Sequence, residues 1–370
     1  MVITLDDLRR FTVARNFFKP LTLNLSLRKM GFLQADPIRA PARAQDLILR
    51  HRVKNYRAGD LERLYPTLKI EEDFFINYGY VTRSVSELMH PRSVTGVPAA
   101  DVDPSWPSAQ KRKARLLLEF VRERGTVHPR EVDEHFSHGK VKNYWGGLSN
   151  ATTHLMDNLH YRGALRIARR ERGIRVYETC RHDRPPIDDA QCRSRIDSLV
   201  DVVVRSYAPL PASSLSYYVR RLRYAVPQWR HGLTAALQRA KERLSYARVD
   251  GVDWYWPADE NADELNHEAT SSMVRLLAPF DPVVHDRTRF ELLWGWAYRF
   301  EAYTPAPRRK FGYYAMPMLW RDRMIGWSNV SVKDGTLDCE FRYVKSQPRD
   351  RIFKRELEAE VDRLKTFLGF

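Results

Sequence analysis

ALRIARRERGIRVYE, residues 164–178, alternates side chains on either side of Arg172-Gly173 and reads as a β-hairpin. Upstream, residues 111–124 place Leu116, Leu117, Phe120 and Val121 on one helical face, and Gly125 ends that helix. A short helix is predicted over 129–136, then a longer one from about Tyr144 to Tyr161 carrying Leu148, Leu155, Met156 and Leu159. Three helices followed by a basic hairpin spell a winged helix. The third helix of such a module usually lies against DNA and its wing touches phosphates, so Arg169, Arg170 and Arg172 become candidate DNA contacts. A winged helix used only for protein contacts is the other reading.

The pattern repeats. Residues 192–207, 211–222 and 227–244 read as three helices, and SYARVDGVDWYWP closes them with Asp250-Gly251, the strongest short-range turn signal in the chain. The first ~95 residues read as a more divergent member, with helices over 5–17, 23–30 and 40–52 and the aromatic strand segment FFINYGYVTR. From Val274 to Val344 the runs RLLAPFDPVVHDR, ELLWGWAYRFEAYTP, FGYYAMPMLWRDRMIGWSNVSV and TLDCEFRYV read as β structure, with a hairpin at Lys333-Asp334-Gly335. An amphipathic helix over 351–367 ends the chain. Pro91–Pro107 and Ala258–Glu268 read as polar linkers. The predicted fold is α+β and mainly helical: tandem winged-helix (helix-turn-helix) modules over 1–95, 108–182 and 188–258, then a β-rich domain with a terminal helix over 265–370.

The chain has 370 residues, and 62 Lys plus Arg against 46 Asp plus Glu give it a net charge of +16. An excess dominated by arginine favours a polyanionic partner, because guanidinium groups fork onto phosphates and stack on bases. Cys180, Cys192 and Cys339 lack CxxC spacing, which suggests neither a zinc site nor a disulfide framework and fits a reduced cytosol. No apolar run is long enough for a membrane span, and the amino terminus carries no signal-peptide core.

Two other stretches carry chemistry. In GFLQADPIRAPARAQD, residues 31–46, Gln34 and Asp36 sit two residues apart ahead of a basic, proline-bearing segment. One reading is a helix end at Gly31 and a new helix capped by Asp36-Pro37. The other is a carboxamide and a carboxylate that jointly hold and activate a water. Farther on, Arg308, Arg309 and Lys310 are followed by Tyr313 and Tyr314. Cations for phosphate and flat rings for bases suit an element facing a nucleic-acid groove, and a solvated loop with core tyrosines is the alternative.

The sequence resembles the AlkZ/YcaQ-type family of bacterial DNA glycosylases, on LQADPIRAPARAQDLILRHRV, NLHYRGALRIARRERGIRVYE and APFDPVVHDRTRFELLWGWAYRFEAYTPAPRRKFGYYAMPML. The resemblance implies tandem winged helices, removal of alkylated purines including those in interstrand crosslinks, and no metal or organic cofactor. It also implies a catalytic Gln-x-Gln or Gln-x-Asp pair, which Gln34-Ala35-Asp36 fills. Asp36 would stabilise the cationic sugar and take a proton from water, and Gln34 would orient that water. Arg39 and Arg43 would fix phosphates near the damaged nucleotide.

Two positions depart from the family pattern. Ala35 is smaller than the usual branched aliphatic residue, and Trp327 stands where an arginine is expected. The expected enzyme is a monofunctional, cofactor-free hydrolase of N-glycosyl bonds in cationic N7-alkylguanine or N3-alkyladenine, monomeric, cytoplasmic and associated with the nucleoid. Its partner is double-stranded DNA. The rival is a winged-helix transcriptional regulator without catalysis.

Overall fold

Arg172 and Gly173 take left-handed backbone (φ 51° and 85°) and close a hairpin of Leu165–Glu171 on Ile174–Thr179. Asp250 and Gly251 (φ 49° and 78°) do the same between Ser245–Val249 and Val252–Trp256. Two successive positive φ angles are what a tight hairpin turn demands. The computed structural model describes residues 2–92, 106–136, 139–142, 148–180, 188–261, 271–333 and 335–370. Most of the first predicted linker, the second from residue 262 onward, and Asp334 lie outside them.

The two repeats share an element order. Helices Ser108–Arg124, Pro129–Phe136 and Ala151–Arg162 precede the first hairpin, and helices Asp189–Tyr207, Ala212–Arg221 and Leu233–Arg243 precede the second. After each first helix a two-residue strand, Thr126–Val127 or Leu210–Pro211, pairs with the second strand of the hairpin.

Several boundaries differ from the sequence reading. The helix predicted from Tyr144 begins at Ala151, because Leu148–Asn150 is strand paired with Lys140–Lys142 and the Asn150 side chain caps the amides of Thr152 and Thr153 at 2.8 and 3.2 Å. Residues 227–244 split into the 3-10 segment Pro227–Gly232, kinked at the non-helical Trp229, and the helix Leu233–Arg243. In the stretch read as strand, Arg287–Trp294 is helix, capped by Asp286 and ended by Gly295 at φ 64°. The helix predicted over 40–52 shrinks to Ala44–Leu49.

The chain divides into two compact units. The first comprises residues 1–61, 201–218 and 239–370; the second comprises 62–200 and 219–238. The first holds an antiparallel sheet of Val274–Leu276, Met316–Trp320, Arg323–Lys333 and Thr336–Tyr343, in that order. Its core joins Leu277, Val283, Phe290, Trp296, Tyr298 and Leu319. The terminal helix Arg351–Leu368 buries Phe353, Leu364 and Phe367. Arg52, 1% exposed, is neutralised by a bidentate bond to Asp281 at 2.8 and 2.9 Å.

In the second unit, Ile70–Phe74 pairs with Tyr78–Thr82 and sends two buried carboxylates inward. Asp73 accepts from His90 and Arg92 at 2.7 and 2.9 Å. Burial opposes ionisation there, but the Arg92 and His90 charges win and hold its carboxyl far below the usual range. Glu72 accepts from Arg170 and from the Tyr78 hydroxyl, which ties the basic hairpin to this core. No helix among the described residues is long and apolar enough to cross a membrane.

Candidate active site

Helix Leu23–Met30 stops at Gly31, whose backbone is left-handed at φ 71°. The chain then extends through the buried strand Phe32–Gln34. Gln34 ends that strand, and Asp36 follows two residues on, in the irregular segment before the next helix. Asp36 does not cap the next helix. Its Oδ1 accepts the Ile38 amide at 2.9 Å, its own amide donates to Gln45 Oε1 at 3.3 Å, and a bridge between Arg39 and Arg43 closes the following turn. Helix Ala44–Leu49 starts only after that turn, wholly buried, and Asp46 on it is held by the Tyr56 hydroxyl at 2.6 Å. A rigid helix thus backs the polar segment.

Gln34 and Asp36 are each 9% exposed. Burial pushes the Asp36 carboxyl above the ordinary carboxylate value, and the Ile38 amide offsets part of that rise. Among the described residues no donor reaches its second oxygen. From the far end of the chain, Tyr303 and Tyr314 come within reach of its charge: burial first, and then the Asp36 carboxylate, push up the enclosed Tyr314 phenol, and slight desolvation followed by the same carboxylate raises the largely exposed Tyr303. Tyr314 is 3% exposed, and its hydroxyl has no hydrogen-bond partner among the described residues. Phe300 sits edge-on to both rings, with centroids 5.5 Å from Tyr314 and 6.0 Å from Tyr303.

The first unit therefore contains Gln34, Asp36, Arg39, Arg43 and the 308–314 segment. Arg39 is exposed and Arg43 half-buried. Arg308 and Lys310 are exposed, whereas Arg309 donates to the Thr304 carbonyl at 2.8 Å and lies over the Tyr313 ring at 5.1 Å. Tyr313 is 46% exposed. The hairpin arginines belong to the second unit. Arg172 is exposed at the turn, Arg169 pairs with Glu171 at 2.5 Å, and Arg170 is engaged by Glu72. A phosphate would meet Arg172 unopposed but would compete with a carboxylate for the other two.

A model of the DNA glycosylase AlkZ-like family matches residues 27–367. The chain belongs to the AlkZ-like DNA glycosylase family. Its structure is similar to that of the Streptomyces sahachiroi DNA glycosylase AlkZ, with a TM-score of 0.60 over 99% of this chain and 97% of that chain at 15% identity. At that identity the likeness is one of fold.

Within this AlkZ-like chain, Trp327 has a clear local task. Its indole N–H donates to the Phe311 carbonyl at 3.0 Å, and Asn329 donates to the same oxygen at 2.8 Å. The ring also stacks on Trp296 and stands edge-on to Phe311. Glu301 accepts the Phe311 and Gly312 amides at 2.7 and 3.3 Å. The cationic loop is pinned at its base on both polar sides.

Sequence reasoning missed Gln45, Tyr303 and Glu301. Gln45 lies within the quoted GFLQADPIRAPARAQD stretch, but nothing local marks it as a support. Tyr303 was hidden in a run read as strand, and its 78% exposure, unusual for an aromatic ring, appears only in three dimensions.

Proposed function

We propose that this AlkZ-like protein hydrolyses the N-glycosidic bond of cationic alkylated purines, N7-alkylguanine and N3-alkyladenine, in double-stranded DNA, with Asp36 and Gln34 as the catalytic pair. The observation that carries the reading is Asp36 itself: 9% exposed, one oxygen fixed by an amide, the other without a donor among the described residues. A cationic base leaves without strong acid, so the demand falls on the electron-poor sugar. A partly desolvated carboxylate stabilises that cation more than a solvated one, and its raised pKa makes it a better acceptor for the water's proton. Gln34 offers both a donor and an acceptor to orient the water.

The shared order of helices, short strand and hairpin supports winged-helix modules, and +16 net charge supports duplex binding. Arg39, Arg43, Arg172, Arg308 and Lys310 are then phosphate contacts, Tyr313 a base-facing ring, and unhooking of crosslinks an extension of the same chemistry. The test is incubation with N7-methylguanine duplex, with borohydride present in a parallel sample. Hydrolysis leaves an alkali-labile abasic site and no trapped covalent adduct. A borohydride-trapped adduct would contradict the monofunctional mechanism, and no release of base would overturn the reading.

A further inference from the structure

Inside the first unit, two arginines and a backbone amide converge on one carboxylate. Glu360 is fully buried and accepts from Arg50 at 2.6 Å, Arg363 at 3.1 Å and the Leu276 amide at 2.8 Å. That set is complete without Arg275, which lies beside it, 8% exposed. Among the described residues Arg275 lies over the Phe17 ring at 4.9 Å and hydrogen-bonds only the Met273 sulfur at 3.7 Å, and its Nη1 has no partner there. Arg50 Nε is likewise buried and unpartnered. The neighbouring Arg52 is already matched by Asp281. His51 adds no compensating anion: burial and Arg50 keep it neutral, and its Nε2–H donates to the Leu276 carbonyl at 3.0 Å. Burial and the surrounding guanidiniums pull Arg275 down to about 10, despite Glu360.

Arg50, Arg275 and Arg363 line a cavity of about 880 Å³. Lys19, Lys54 and Arg57, all exposed, line it too. The one carboxylate on its lining, Asp362, is exposed and paired with Lys365 at 3.3 Å. A buried guanidinium without a counter-charge is costly, and a fold that retains one gains when an anion supplies the missing acceptor. The surplus of forked donors suits a multivalent oxyanion better than a single carboxylate.

We infer that this cavity is a phosphate-binding site, with Arg275 as its buried anchor and Lys19, Lys54 and Arg57 as its outer cations. The phosphate is either a DNA backbone group or part of a free phosphorylated molecule. The site is separate from the Gln34-Asp36 pair and does not depend on the reaction assigned to it.

The experiment uses the full chain and inorganic phosphate, with thermal unfolding and calorimetric titration set against chloride at equal ionic strength. Phosphate raises the wild-type melting temperature by at least about 2 °C beyond chloride. Arg275→Met loses that increment yet melts no lower than wild type in chloride, since it removes an unmatched charge. Duplex binding then separates the sources. If the ligand is a backbone phosphate, Arg275→Met weakens affinity for undamaged duplex and lowers the salt slope by about one. If it is a free phosphorylated molecule, duplex affinity is unchanged. A wild type that responds to phosphate no more than to chloride, or an Arg275→Met variant with the same phosphate response, overturns the inference. The wild-type titration holds even if the variant fails to fold.

Discussion

Burial first, and then the Asp36 carboxylate, raises the phenol of Tyr314, a residue far along the chain whose buried hydroxyl meets no hydrogen-bond partner among the described residues. If the reaction proposed for Asp36 holds, a hydroxyl in the same electrostatic neighbourhood is a candidate donor to the water or the sugar. Tyr314→Phe removes that donor without breaking any bond within the protein. Its melting temperature should stay close to wild type, while single-turnover base release falls by roughly tenfold. Equal rates would confine Tyr314 to packing.

Because burial raises Asp36, its ionised form is disfavoured by the folded state. Sign follows directly: this group contributes least to stability once pH exceeds its folded value, and the cost disappears as pH falls below the unfolded value near 3.8. Base release, which needs the anion, should decline on acidification with a midpoint above 3.8, after subtraction of spontaneous depurination. Asp36→Asn should be at least as stable as wild type at neutral pH, with the advantage shrinking in acid. A rate flat down to pH 4 would contradict this assignment.

Trp327→Arg restores the cation expected from the family pattern but removes the indole bond to Phe311 and the stack on Trp296. Its expected cost is about 2–4 kcal/mol of stability, with no gain in duplex affinity. Denaturant unfolding and a binding isotherm measure both.

Gly312 has φ 122°, and a Cβ there would stand 2.2 Å from Asn329 Oδ1. Gly312→Ala should therefore destabilise the loop and weaken duplex binding through Arg308 and Lys310. Asn329→Ala added to it should recover only part of the loss, because the backbone strain remains.

The hairpin arginines should separate by role. Arg170→Ala leaves buried Glu72 short of its partner and should lower stability by about 3 kcal/mol. Arg172→Ala, at the exposed turn, should leave stability unchanged and reduce the salt dependence of duplex binding by about one unit of slope. Equal stability losses in the two variants would mean that Arg172 is also structural.

The hairpins at Arg172-Gly173 and Asp250-Gly251 were legible because a tight turn is decided by its own two residues. The helix Arg287–Trp294 was not, since its aromatic run has strand-like texture; Asp286 and Gly295, its cap and stop, were the local signals that outweighed it. The Asp-Pro start signal misled for a different reason. Asp36 spends its side chain on Ile38, and Gln45, placed by a buried helix, holds the backbone of Asp36 out of helical form. The candidate pair was visible as Gln34-Ala35-Asp36, but the tyrosines that feel its charge come from the far end of the chain, a relation that no local pattern encodes.

The most direct measurement compares wild type with Asp36→Asn on a duplex holding a single N7-methylguanine, scoring strand cleavage by alkali after incubation and duplex affinity in parallel. Cleavage by wild type, its loss in the variant, and affinities within a few fold of each other are the predicted result. An Asp36→Asn protein that still releases the base at the wild-type rate would contradict the account.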